Sequence, residues 1–152
     1  MSFFLTEEYD DFQADRSLSS NYYILKPAVG SCGRGIKIVD SKSNISVSNR
    51  EGMIASHYIM NPHLINGLKY DLRVYVLVTS YCPLKVYIYN DGLVRFATEL
   101  YSLDPKKINH KYIHLTNFSI NKNNKSKFVN HNDEVESDNE DISPDSSKWD
   151  FK

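Results

Sequence analysis

Lys69, Asp71 and Arg73 occupy alternate positions in a run, Leu68 to Ser80, that is rich in β-branched and aromatic residues. Side chains alternate between the two faces of a strand, so these three share one face while Tyr70, Leu72, Val74 and Val76 share the other. The second set reads as core. The first places two cations and a carboxylate in a row, where a polyanion and a ribose could be held. The same pattern also suits a solvated face with a surface ion pair, worth little energetically, and on these residues alone the two readings balance.

A glycine-rich stretch, Gly30-Ser31-Cys32-Gly33-Arg34-Gly35, follows Lys26-Pro27. Glycines let backbone N–H groups approach phosphate oxygens, and Lys26 at the preceding strand end would neutralise charge. The stretch lacks the Gly-Lys-Ser/Thr ending of a P-loop and no strand–helix dinucleotide pattern surrounds it, so an ordinary β-turn is the better reading by itself. Arg95, between Val94 and Phe96, either snorkels to solvent or meets an anion. His114-Leu115-Thr116-Asn117-Phe118-Ser119 gathers four polar side chains at an expected strand end. A hydroxyl and an amide there could coordinate phosphate or metal-bound water, or simply cap a turn. The histidines are scattered, and His110, His114 and His131 lack ligand-like spacing.

The elements that must position these residues are mostly strands. Tyr22 to Leu25 is a short β-type run stopped by Lys26-Pro27, since proline biases the residue before it toward extended geometry. Strands are expected over Ile36 to Val39, Met53 to Ile59, Leu68 to Ser80, Leu84 to Tyr89 and Leu93 to Thr98, with Pro83 as a break. Asn90-Asp91-Gly92 is a hairpin signal, because Asn and Gly tolerate positive φ. The pattern implies an α+β chain dominated by antiparallel sheet. Residues 1–21 read as a loose, partly ordered lead-in with one short helix, 22–128 as the core segment, 129–147 as a flexible acidic and Asn-rich insert unable to bury enough apolar surface, and 148–152 as the start of a further apolar segment.

The 152 residues suit one domain, and 41% are hydrophobic, nearly all between Tyr22 and Ile120. A formal net charge of −1 gives no signal for nucleic acid or an anionic membrane. No apolar run approaches a membrane span, and the N-terminus lacks the basic region of a signal peptide. Cys32 and Cys82 stand fifty positions apart in unrelated contexts and read as reduced thiols of a cytosolic protein.

Taken in order, the pieces resemble the tubulin tyrosine ligase-like family over residues 22–128. The resemblance is carried by Ile24-Leu25-Lys26-Pro27 with Gly33-Arg34-Gly35-Ile36, by Tyr58-Ile59 with Asn61-Pro62, and by Gly67-Leu68-Lys69-Tyr70-Asp71-Leu72-Arg73-Val74. It continues through Tyr89-Asn90-Asp91-Gly92-Leu93-Val94-Arg95-Phe96 and His114-Leu115-Thr116-Asn117-Phe118-Ser119-Ile120-Asn121-Lys122. One such motif could be chance; the ordered set is specific.

The resemblance implies an ATP-grasp-like fold, incomplete at both ends of this chain, and a role for each matching residue. Lys26 would contact the ATP phosphates, with Cys32 and Gly33 lying over them. Ser56, His57, Tyr58 and Ile59 would form the hinge beside adenine. Lys69 and Asp71 would hold the nucleotide near the ribose, Arg73 the terminal phosphate, and Thr116 and Asn117 would sit at the phosphates. Arg95 would meet the incoming amino acid, helped by Ser119 and Lys148. The implied reaction is ligation, in which ATP phosphorylates a carboxylate and an amino group attacks the acyl phosphate. Lys26, Arg73, Arg95 and Mg²⁺ would then stabilise developing negative charge.

Within that family the run from Pro62 through Lys122, with Lys148-Trp149 later, is most similar to the polyglutamylase branch. This implies free L-glutamate as the amino acid, tubulin C-terminal tails as the acceptor, and a cytoplasmic, microtubule-associated enzyme of the cytoskeleton, including cilia, flagella or basal bodies. Two departures stand out: Ser56-His57 where the family usually has Gln and a basic residue, and Cys32 where it often has Gln. The family's magnesium carboxylates, an Asp and a Glu-x-Asn, are expected beyond Lys152, so the chain reads as a fragment inactive by itself. The competing readings are a non-catalytic relative that binds nucleotide or microtubules, a glycine or tyrosine ligase of the same family, and an unrelated ATP-grasp ligase.

Overall fold

A computed structural model describes residues 1–46 and 50–128, together with the backbone of 148–150. The chain divides into two compact units, one comprising Met1–Pro62 with Ser102–His110 and the other His63–Tyr101 with Lys111–Lys152.

The first unit contains β1 (Ser2–Phe4), α1 (Tyr9–Leu18), β2 (Tyr23–Pro27), β3 (Lys37–Val39) and β4 (Met53–His57). The strands form one antiparallel sheet in the order β1-β4-β2-β3. Strand alternation buries Tyr23 and Leu25 and leaves Lys26 exposed. Phe3, Leu5, Phe12, Tyr23, Leu25, Ile45 and Ala55 make the core, with the Phe12 ring set edge-on to Tyr23 at 5.1 Å. Three of these core residues come from positions 1–21, which look loose by composition. Isolated aromatics in a polar context barely raise a local average, yet each fills a core site. From α1, Arg16 donates to the carbonyls of Asp40 (2.9 Å) and Ser43 (2.6 Å) and lies over the Phe12 ring, pinning the turn after β3.

The second unit contains β5 (Leu64–Ile65), β6 (Leu68–Tyr81), β7 (Leu84–Leu100), α2 (Lys111–His114), α3 (Phe118–Asn121) and β8 (Lys148–Asp150). Its sheet runs β5-β6-β7-β8, again antiparallel. The described residues are mainly antiparallel sheet with few helices, and none of those helices is long and apolar enough to cross a membrane.

Three expectations need correction. Asn90-Asp91-Gly92 does not turn the chain: β7 runs straight through it, and the hairpin closes at Cys82-Pro83, with Tyr81 paired to Leu84. The turn-type residues are absorbed as a bulge. Between the pairs Val74–Gly92 and Val76–Ile88, β6 advances two residues and β7 four.

Positions 114–119, expected at a strand end, instead span two short helices and the link between them. A brief apolar run such as Tyr112 to Leu115 fits either period, and here α2 buries Ile113 and His114.

Leu72, Val74 and Val76, expected in the core, are about half exposed. Val94 and Gly92, the cross-strand partners of Leu72 and Val74, are buried, but Ile88 opposite Val76 is exposed, and the ribbon beyond gains no cover among the described residues.

Candidate functional site

The register of β6 against β7 sets Asp71 opposite Arg95. Arg95 Nε donates to Asp71 Oδ1 at 2.7 Å and Arg95 Nη2 donates to Asp71 Oδ2. The planar guanidinium thus meets the carboxylate as a two-point fork, a match that the point charge of lysine does not offer. A third member arrives from the link between α2 and α3, where Thr116 Oγ1 donates to Asp71 Oδ2 at 2.9 Å. Three residues singled out in separate stretches of sequence therefore form one hydrogen-bonded cluster.

The remaining members of the β6 row lie to either side along the strand. Burial works against ionisation of Asp71, but the Arg95 fork, the Thr116 hydroxyl and the charges of Arg95 and Arg73 outweigh it and hold the carboxyl below the usual aspartate range. The hydrogen bond from Arg95 to Asp71 in turn holds the guanidinium above its ordinary value, against the opposing effect of burial. Burial pushes Lys69 below the usual lysine range, with the Asp71 carboxylate offsetting part of that shift. Arg73 is exposed.

On the other side of β7, β8 sets Lys148 at the register position opposite Arg95. Asn117 stands at the N-cap position of α3, and Ser119 is half-buried within that helix.

Lys26, Cys32, Gly33 and the segment Ser56 to Ile59 belong to the first unit. Lys26 is exposed at the end of β2. Cys32, Gly33 and Gly35 all have positive φ, of 61°, 72° and 72°. A Cβ on Gly35 would come within 2.9 Å of Pro27 Cγ, so close return of the loop to the Lys26-Pro27 strand end requires glycine there. Cys32 and Cys82 are both exposed.

In the hinge segment, Ser56 Oγ lies 2.9 Å from Ser2 Oγ, and His57 Nε2 lies 2.8 Å from Asp15 Oδ2. The backbone N–H groups of His57 and Tyr58 donate to the carbonyls of Met1 (3.3 Å) and Tyr22 (2.8 Å). Tyr58 is buried, whereas Ile59 is 72% exposed.

Sequence reasoning passed over two residues that the structure brings to these sites. Asp15 in α1 is the partner of His57, and Asn121 is a buried amide behind Thr116. Neither has a local signal, because each acts through a partner many positions away or through backbone carbonyls. No three His, Cys, Asp or Glu side chains among the described residues come together as a metal site.

The model of the tubulin-tyrosine ligase family matches residues 1–147. The human tubulin polyglutamylase TTLL5 is 39% identical over 148 residues, 97% of this chain. The mouse tubulin monoglutamylase TTLL4 is 43% identical over 112 residues, 74% of this chain. The mouse tubulin polyglutamylase TTLL13 is 44% identical over 125 residues, 80% of this chain. The chain spans 11%, 9% and 15% of the lengths of these three relatives.

Proposed function

Since the chain belongs to the tubulin-tyrosine ligase family, we propose that it supplies the nucleotide-holding sheet of an ATP-dependent ligase that joins glutamate to side-chain carboxylates of tubulin tails. The observation that carries this reading is the Asp71–Arg95–Thr116 cluster, set in a row with the partly desolvated Lys69 and with Arg73. Glutamate and tubulin come from the relatives, which are tubulin polyglutamylases and a monoglutamylase by name. An ATP-grasp arrangement fits the largely antiparallel sheet and the positive-φ glycine loop after Lys26.

The residues present suit a nucleotide. Burial lowers the Lys69 pKa, a shift that the negative charge of a nucleotide would reverse, and Gly35 carries no side chain where the loop returns to Pro27. ATP, when bound, supplies the phosphoryl group that activates the acceptor carboxylate. Lys69 and Asp71 hold the nucleotide near the ribose, and Arg73 holds the terminal phosphate. Thr116 and Asn117 fix the phosphate side. Arg95 orients the carboxylate of the incoming glutamate, helped by Ser119 and Lys148. Each of these groups is charged or dipolar before reaction begins, so little reorganisation is needed as negative charge develops. Magnesium has no three-ligand site among the described residues. Such a ligase works on microtubules in the cytoplasm, those of cilia and basal bodies included.

Two measurements test the reading. Isothermal titration of ATP into the chain, compared with Lys69→Ala and Arg73→Ala, should show each substitution weakening binding by about tenfold, the loss of one charge-assisted hydrogen bond to the nucleotide. Equal affinity in all three proteins would remove the nucleotide role. The full-length gene product should transfer labelled glutamate to tubulin, and transfer of glycine or tyrosine alone would replace the glutamate assignment.

A further inference from the structure

We infer that Asn121 is a positioning residue for the Asp71–Arg95–Thr116 cluster, clamping the link between α2 and α3 to β7 so that the Thr116 hydroxyl stands over Asp71. Asn121 is 1% exposed, among the largest fully buried side chains of the described residues. Its Oδ1 accepts from the backbone N–H of Thr98 at 3.1 Å and from Thr98 Oγ1 at 2.9 Å. Its Nδ2 donates to the carbonyls of Leu115 at 2.8 Å and Asn117 at 3.1 Å. A carboxamide offers two acceptor sites and two donors, and all four are used.

The choice of partners carries the inference. The two carbonyls belong to the residues immediately before and after Thr116, and the two donors belong to one residue of β7, the strand that also holds Arg95. The amide therefore joins the backbone on either side of the Thr116 hydroxyl to the strand of the Arg95 guanidinium. Thr98 is held on its other side as well, since Asn124 Nδ2 donates to Thr98 Oγ1 at 3.0 Å. A residue that merely filled the core could be apolar. A buried amide with four bonds fixes a single arrangement, because any shift of the link strands a polar group away from water.

That this cluster serves a nucleotide rests on the proposed function; the clamp itself does not, and the two can fail separately. Titration of the Asp71 carboxyl by ¹³C NMR in the 152-residue chain reads the clamp directly. Thr116→Val, which removes one hydroxyl bond, should raise the Asp71 titration toward the ordinary range. Asn121→Ala should raise it in the same direction, and the double variant should add little beyond either single change. Asn121→Asp retains an oxygen for the two Thr98 donors and loses both donors to the link, so it too should raise the titration.

A folded Asn121→Ala or Asn121→Asp chain with Asp71 titrating as in the unmodified chain would overturn the inference. If both are unfolded by far-UV circular dichroism, Thr98→Val decides. It removes one bond to Oδ1, should raise Asp71 by a smaller amount, and overturns the inference if it leaves Asp71 unmoved. ATP titration forms the second arm. Asn121→Ala should weaken ATP by about threefold to tenfold, the worth of one or two displaced hydrogen bonds. A raised Asp71 titration with unchanged ATP affinity keeps the clamp and removes the nucleotide role of the cluster.

Discussion

Asp71 and Arg95 lie opposite one another across β6 and β7 and are joined at two points, with the third oxygen contact of Asp71 taken by Thr116. The pair is only partly buried, with side-chain exposures of 37% for Asp71 and 22% for Arg95. Its value for stability is consequently modest, and its value for geometry is larger. Arg95→Lys keeps the charge and loses the fork. It should cost about 1 kcal/mol in urea denaturation, the scale of a single hydrogen bond in a half-exposed setting. The glutamate dependence of ligation by the full-length product should worsen far more than its stability. Equal behaviour of Lys and Arg in both assays would show that only charge matters at position 95.

The same pair gives the acid limb of the stability curve a defined sign. Asp71 has a folded-state value below its ordinary one, so its contribution is fully present above the ordinary aspartate value, near pH 4. It is lost as pH falls from there through the depressed folded value. Asp71→Asn should lower stability at pH 7 and flatten the decline below about pH 4. Parallel acid unfolding curves for the two proteins would show that other carboxylates set this limb.

Lys69 gives a proton-coupling prediction at the opposite end of the scale. Burial holds its value below that of a free lysine, and the negative charge of a nucleotide held beside it would raise that value again. ATP binding should therefore take up protons at alkaline pH, between the free and bound values of Lys69. Titration calorimetry in buffers of different ionisation enthalpy measures that uptake, and Lys69→Met should abolish it. Release of protons, or uptake unchanged in the variant, would place the nucleotide elsewhere.

Much of this site is legible in the chain because strand alternation needs no tertiary information. The spacing of Lys69, Asp71 and Arg73 alone puts them in one row, and Pro83 marks the break where the ribbon turns. Asn90-Asp91-Gly92 misleads because the backbone freedom that permits a hairpin also permits a bulge, and only pairing with Val74 and Val76 selects between them. The 114–119 stretch misleads through its brevity, since a few apolar residues fit a helix or a strand. Asn121 is illegible for a different reason. Its partners are backbone carbonyls and a threonine 23 positions away, and no side-chain pattern encodes those.

Gly35 and Gly52 separate two costs that glycine replacement usually mixes. Both have positive φ, +72° and +63°, but a Cβ at Gly35 would strike Pro27 at 2.9 Å while one at Gly52 meets nothing within 4 Å. Gly52→Ala should cost about 1–2 kcal/mol, the left-handed penalty for an L-residue. Gly35→Ala should cost more by thermal unfolding, and should also disturb the loop beside Lys26. If Gly35→Ala is no more damaging than Gly52→Ala, the loop tolerates displacement from Pro27 and its close return is not a structural requirement.

The outer half of the β6–β7 ribbon sets the solution behaviour of the isolated chain. Leu77, Tyr87 and Ile88 are 61%, 59% and 68% exposed. Val76 pairs with Ile88 and Leu77 with Tyr87, so both faces of the ribbon are apolar. Among the described residues β5 pairs only with Leu68 and Lys69, and β8 only with Leu93 to Arg95, which leaves both outer edges of this half unpaired. An apolar ribbon with open edges pairs readily with another chain. The 152-residue chain should self-associate at micromolar concentration in sedimentation velocity. A double variant, Leu77→Lys with Ile88→Lys, places one charge on each face and should shift the chain toward monomer. The Asp71–Arg95 fork lies outside the altered segment, so the Asp71 titration should be retained in that variant. A monomeric unmodified chain, or association that survives both charges, would locate the adhesive surface away from the ribbon.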